Sequence, residues 1–271
     1  MEFEDTFTGR KNTIKTYTSL YRKHLATIPD EVNWEAWSEH STRYVLKTWE
    51  AAGLSRATRI TLTRLLGRLV SFHGGPDIDT RAAIKSLERS EQQREVTALS
   101  RDEAQKLAET AKLLEPRFYP VLLLALHAGL RRGEIFGLRC GDVDVLNGKI
   151  KVSHSYEGPT KSGRSRQVPM GRELSGALTE ARNLLLRNAG ARVFELFDPN
   201  PVLRRCCQRA GIDRIRFHDL RHTFASMALT SGVSPKQVAD WLGHSSVVTT
   251  LSIYWNITSE KADLSFLPNE Q

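Results

Sequence analysis

The chain has 271 residues, 40% of them hydrophobic, which is ample for a sizeable core and calls for no disulfide staples. Its 39 Lys and Arg against 31 Asp and Glu give a net charge of +8, which excludes a disordered acidic tail and points to a polyanionic partner. The surplus is uneven: residues 1–100 carry 15 basic and 13 acidic side chains, residues 101–271 carry 24 and 18.

In chain order, the opening MEFEDTFTGRK is acidic and lacks an apolar core, so no secretory signal is read there. Apolar residues recur at helical spacing over 13–28, 34–52 and 56–72, as with Leu62, Leu65, Leu66, Leu69 and Val70. This predicts a small all-helical bundle. Its third helix carries Arg56, Arg59, Arg64 and Arg68, with Arg64 and Arg68 on one face. They are candidate contacts to a polyanion, the alternative being an ordinary solvated face. A polar stretch, ERSEQQRE at 88–95, reads as a linker and divides the chain into domains 1–90 and 91–271.

The second domain opens on Ser100 and Glu103, a capping box ahead of Ala104, Leu107, Ala108 and Ala111, so a helix starts there. A long apolar helix is expected to end near Leu138. The pattern then turns to period two over 143–146 and 149–152 around an Asn147-Gly148 turn, which predicts a hairpin. A turn at 160–163 precedes a third short strand within 164–169. Helical patterns resume, and Ser234 and Pro235 supply an N-cap and first-turn proline, with Gly243 as a stop. The expected fold is mainly α with a small antiparallel β-sheet: a helical domain followed by an α+β one.

Three cysteines, Cys140, Cys206 and Cys207, suit buried thiols in a reducing compartment. The longest apolar stretch, Phe118 to Leu126, is far short of the ~20 residues of a spanning helix. A cytoplasmic protein away from membranes is expected.

Four separated segments gather cations, imidazoles and one tyrosine: AGLRRGE at 128–134, TKSGR at 160–164, HDLRH at 218–222, and LGHSS at 242–246 running on to Tyr254. Arg131 and Arg221 each sit inside otherwise apolar helices, where a guanidinium needs an anionic partner or solvent. Glu134, three residues beyond Arg131, could pair with it or orient it. His218 and Arg221 project from one side of a helix turn and would offer an anion two donors. His218 and His222 have a metal-like spacing, but no H-E-x-x-H motif is present and Arg221 on the same turn would repel a cation.

Taken together and in this order, AGLRRGE, TKSGRSRQVP, HDLRHTFAS and LGHSSVVTTLSIY resemble the tyrosine recombinase (phage integrase) family, from residue 97 to about 256. Residues 1–90 resemble that family's helical core-binding domain in size, helix pattern and position. The resemblance implies that Arg131 and Arg221 hold the nonbridging oxygens of a scissile phosphate and that Glu134 supports Arg131. It implies that Lys161 protonates the leaving 5′ oxygen, that His218 and His244 assist the nucleophile and bind the phosphate, and that Tyr254 is the nucleophile.

The chemistry of the residue types agrees. Two permanently charged planar guanidinium groups suit the charge that grows on a phosphodiester under attack. A phenol, with a pKa of about 10, needs an acceptor such as a neutral imidazole. A phosphotyrosine ester keeps the energy of the broken bond, so neither ATP nor a metal is expected. The implied activity is site-specific cleavage and rejoining of duplex DNA through a 3′-phosphotyrosyl intermediate and a Holliday junction. The implied partners are double-stranded target sites, clamped between the two domains with Arg56, Arg59, Arg64 and Arg68 against phosphates, and four copies of the chain in synapsis. An accessory directionality factor and a phage or other mobile element as the gene's carrier stay open, with a bacterial cytosol or nucleoid as the setting. Two rivals are a type IB topoisomerase-like relaxing activity and a catalytically silent DNA-binding protein, which the six filled signature positions disfavour.

Overall fold

The computed structural model describes residues 2–9, 11–28, 32–88, 98–159, 165–185, 189–244 and 246–251. They fall into two units, Met1–Arg94 and Glu95–Gln271.

In the first unit a 3₁₀ turn, Phe3–Thr6, precedes α1 (Lys11–His24), α2 (Glu39–Ala51), α3 (Arg56–Phe72) and α4 (Thr80–Glu88). Ser38 and Ser55 cap α2 and α3 by accepting from the backbone N–H three residues on, at 3.2 and 3.3 Å. The core gathers Leu62, Leu65, Leu66, Leu69 and Val70 of α3 with Leu46 and Trp49 of α2, Leu25, Trp37, Phe3 and Phe7.

Of the four α3 arginines expected as contacts to a polyanion, Arg59 does not face solvent. Arg59 is 2% exposed and its Nη1 donates to Glu50 at 2.9 Å. The reason is register: Arg59 stands three and seven residues before Leu62 and Leu66, on the core-facing side of the helix. It is a buried ion-paired side chain rather than a candidate for DNA contact. Arg64 and Arg68 do point outward, but Arg68 also donates to the Thr6 carbonyl at 3.0 Å and lies over the Phe7 ring, so it pins the N-terminal turn. Arg56 is half-buried.

The second unit begins with α5 (Arg101–Leu114), where the Ser100–Glu103 capping box forms at 3.2 and 2.8 Å. α6 (Tyr119–Ala128) follows, buried on every side from Tyr119 to Leu126 and packed on α5, α8 and α10. The long apolar helix expected to reach Leu138 is two helices. Gly129 ends α6 in the left-handed region at φ 63°, and α7 (Arg132–Gly137) starts afresh. A side chain at Gly129 would also meet the Phe224 ring at 2.5 Å and Leu242 at 2.6 Å, so glycine is required there both for its backbone and for its size. Arg131 therefore caps α7 in extended backbone, outside a helix.

After a 3₁₀ turn, Cys140–Asp142, come β1 (Val143–Asp144), β2 (Lys149–Val152), β3 (His154–Ser155), β4 (Gly158–Pro159) and β5 (Arg166–Pro169). β1, β2 and β5 form an antiparallel sheet in that order, and β3 with β4 form a separate ribbon that the periodicity did not predict. Ile150 pairs with Val168 and Val152 with Arg166, so Arg166 shares the inward face of three buried residues. α8 (Arg172–Leu185), α9 (Pro199–Ala210), α10 (Asp219–Thr230) and α11 (Pro235–Leu242) complete the unit. Ser234 caps α11, and Gly243 stops it at φ 64°. All three cysteines are free and buried.

Candidate active site

Helix ends make this site. The last carbonyls of a helix have no intrahelical partner and carry the negative end of its dipole, so they favour cations. α6 and α11 both end here, and their carbonyls hold two guanidinium groups. Arg221, 3% exposed on the first turn of α10, donates Nη1 to the Gly129 carbonyl at 2.5 Å and Nη2 to that of Leu242 at 2.6 Å. Arg131 donates to the same Leu242 carbonyl and to that of Gly243, each at 3.3 Å. Burial, then the nearby Arg131, push the Arg221 pKa down to about 9, so it stays charged at neutral pH in a place that penalises the charge. An anion at this point would relieve that penalty.

Among the described residues Glu134 is the only carboxylate that pairs with Arg131, and its oxygens are fully used. They accept from the Arg131 backbone N–H at 2.8 Å and side chain at 3.0 Å, and from both Nη atoms of Arg166 at 2.9 and 2.8 Å. Burial raises its pKa, but Arg166 and then Arg131 outweigh it and the net shift is downward. Arg166 also donates Nε to the Trp241 carbonyl at 2.6 Å and packs under Gly243, where a side chain would meet it at 3.1 Å.

The imidazoles complete the rim. His218 precedes α10, and its ring meets that of His222 edge to face at 5.0 Å. His244 follows Gly243, with Nδ1 2.9 Å from the Thr250 hydroxyl. Burial, then the charges of Arg221 and Arg131, lower His244 to about 4. Burial, then His222 and Arg221, also lower His218, and burial lowers His222. All three are neutral at neutral pH.

The structure thus brings together Arg131, Glu134, His218, Arg221 and His244. Lys161 and Tyr254 lie outside the described residues. Two further contributors, Arg166 and Thr250, escaped the sequence reading. Arg166 had left a trace, a cation two residues before an apolar Val168 on the same strand face; Thr250 had left none. Three guanidinium groups face one carboxylate, a net surplus of two positive charges, which suits a phosphodiester that gains charge as it is attacked. Among the described residues no cluster of three or more His, Cys, Asp or Glu could hold a metal ion, and no helix is long and apolar enough to cross a membrane.

A model of the phage integrase family matches residues 97–261. Tyrosine recombinase XerA of Thermococcus kodakarensis is 29% identical over 259 residues, covering 92% of this chain and 86% of that protein. XerA of Saccharolobus solfataricus is 28% identical over 254 residues, covering 88% and 80%. Among solved structures, a Tn1549 transposon integrase in complex with transposon right end DNA aligns with a TM-score of 0.77 at 18% identity, over 93% of this chain and 91% of that one. A lambda integrase tetramer bound to a Holliday junction aligns at 0.71 and 19% identity, over 93% and 74%. At such identities the structural likeness speaks for the fold alone.

Proposed function

This chain belongs to the phage integrase family and is a site-specific tyrosine recombinase, an enzyme that cleaves and rejoins DNA, and we propose that Tyr254 is its nucleophile and Lys161 its general acid. The observation that carries this reading is the carbonyl of Leu242, which accepts from both Arg131 and Arg221 two residues before His244. One helix end thereby gathers both phosphate-binding arginines and an imidazole.

Chain connectivity permits the two remaining roles. Tyr254 follows Thr250, the partner of His244, by four residues, and at ~3.6 Å per residue it lies within about 14 Å of it. Lys161 precedes Arg166 by five residues, a reach of at most about 18 Å.

In this reading Arg131 and Arg221 hold the nonbridging oxygens of the phosphodiester while the Tyr254 oxygen attacks phosphorus. The phenolic proton passes to neutral His218, a 3′-phosphotyrosyl bond forms, and the 5′ oxygen leaves with a proton from Lys161. Attack by a 5′ hydroxyl on that ester reverses the step and seals a strand. No ATP or metal enters the balance. We further propose that the unit 1–94 is the core-binding domain, with Arg64 and Arg68 toward DNA phosphates, that four copies act together on two duplex sites through a Holliday junction, and that the enzyme works in the cytoplasm. An accessory directionality factor would act on that assembly.

The test is Tyr254→Phe on a nicked suicide substrate. The covalent protein–DNA adduct should vanish while binding persists; an adduct in that variant would remove the assignment.

A further inference from the structure

Thr250 is fully buried, and its Oγ1 lies 2.9 Å from Nδ1 of His244. A buried hydroxyl proton left without an acceptor is destabilising. Helical threonines elsewhere in the chain spend that proton on the carbonyl four residues back, as Thr61, Thr63, Thr110 and Thr179 do at 2.8–3.0 Å. Thr250 does not. Among the described residues its hydroxyl meets only the imidazole.

The neutral imidazole has one N–H and one lone pair, and a hydroxyl facing Nδ1 can in principle serve either. The burial of Thr250 breaks the tie. If Nδ1 carried the hydrogen, the threonine proton would have no acceptor among the described residues; if Nδ1 carries the lone pair, both groups are satisfied. The low pKa of His244 agrees, since a ring held neutral must choose a tautomer.

We propose that Thr250 is a positioning residue that donates to Nδ1 and fixes His244 as the Nε2–H tautomer. The free edge of the ring is then a hydrogen-bond donor beside Arg131 and Arg221. It serves as a third donor to a nonbridging phosphate oxygen and cannot accept the tyrosine proton, which leaves that task to His218. The tautomer stands on geometry; only its catalytic consequence rests on the recombinase reading. Because Thr250 lies on the segment that leads to Tyr254, the same bond ties the nucleophile's segment to the phosphate-binding rim.

The experiment is a long-range ¹H–¹⁵N correlation spectrum of the full chain labelled with ¹⁵N-histidine, recorded at neutral pH without DNA, with His244→Gln to assign the signal. The parent should show the Nε2–H pattern at His244, and Thr250→Ser, which keeps the hydroxyl, should retain it. Thr250→Val should lose that single tautomer and slow cleavage of a suicide substrate by about ten- to a hundredfold, the usual cost of losing a ligand-orienting partner. Its DNA affinity should stay near the parent's, and Thr250→Ser should restore the rate. An Nδ1–H pattern in the parent overturns the proposal, and so does a Thr250→Val protein with parental tautomer and rate. Should Thr250→Val fail to fold, the parent and Thr250→Ser spectra still decide. The spectrum is read without DNA, so its failure leaves the Tyr254 assignment standing, and failure at Tyr254 leaves the tautomer standing.

Discussion

The guanidinium of Arg166 and the carboxylate of Glu134 meet through two parallel hydrogen bonds of 2.9 and 2.8 Å, with side-chain exposures of only 10% and 4%. This fork joins β5 to the cap of α7, and through it the strand behind Lys161 is tied to the residue that orients Arg131. Without Arg166, Glu134 would face Arg131 alone and neutralise its charge.

Arg166→Ala should therefore cost more than a packing change. Removing one partner of a buried pair typically costs about 3–5 kcal/mol, because the other charge stays behind. Arg166→Lys keeps the charge but not the planar fork and should fall between. Denaturant unfolding reads the loss, and a double cycle with Glu134→Gln should show strong coupling. An Arg166→Ala protein within about 1 kcal/mol of the parent would refute the role, since a change that small is ordinary for a surface side chain.

Much of this was legible because the relevant patterns are local. The S-x-x-E box at Ser100, the Asn147-Gly148 hairpin and the Ser234-Pro235 start each depend on neighbours within a few residues, and each forms as expected. What escaped depends on distance along the chain. The bond from Arg166 to Glu134 spans 32 residues, and no periodicity announces it. The break between α6 and α7 was hidden because apolar residues run on through it, while Gly129 stops the helix for the sake of Phe224 and Leu242. The charge of Arg59 marks it for the surface, but its register with Leu62 and Leu66 buries it.

The arginines of α3 should separate into two classes. Arg64→Ala should weaken binding to all DNA sequences alike and lower the slope of log affinity against log salt by about one if it contacts a phosphate. Arg59→Ala should leave that slope unchanged and lower stability instead, because it removes the partner of Glu50 and opens space beside Leu62. Salt titration and thermal melts run on both variants distinguish the classes; a changed slope for Arg59→Ala with parental stability contradicts its buried placement.

Acid should destabilise the free protein through the imidazoles. The folded chain holds His244 near pKa 4, and His218 and His222 are also lowered, while an unfolded chain titrates near 6.5. As pH falls below about 6.5 the unfolded state takes up protons first, so unfolding is favoured progressively toward pH 4. Glu134, whose pKa is lowered, adds a loss below the ordinary carboxylate range. Bound DNA should oppose the trend, since a phosphate at Arg131 and Arg221 favours charged neighbours. Melting curves from pH 7 to 5 should show a falling midpoint that is flatter in His244→Gln; an equal slope in that variant removes His244 from the account.

Lys161 is the assignment that rests most on chemistry, and the leaving group supplies its test. An alkoxide departs poorly unless it is protonated, whereas a thiolate, whose acid has a pKa of about 8.5, departs unaided. Arg166, five residues beyond, is anchored to Glu134 and Trp241, so Lys161 cannot stray more than about 18 Å from that anchor. That tether is equally compatible with a lysine that only attracts phosphate, so position alone does not separate the two roles. Lys161→Ala should cleave ordinary DNA slower by about 10² to 10⁴, the usual loss on removing an acid catalyst. On a substrate with sulfur at the bridging 5′ position it should cleave nearly as fast as the parent. A lysine acting through charge alone would leave the variant equally slow on both substrates, because sulfur changes the leaving group and not the nonbridging oxygens. In that outcome the proton must come from another group, and His218, neutral beside the phosphate site, becomes the next residue to vary.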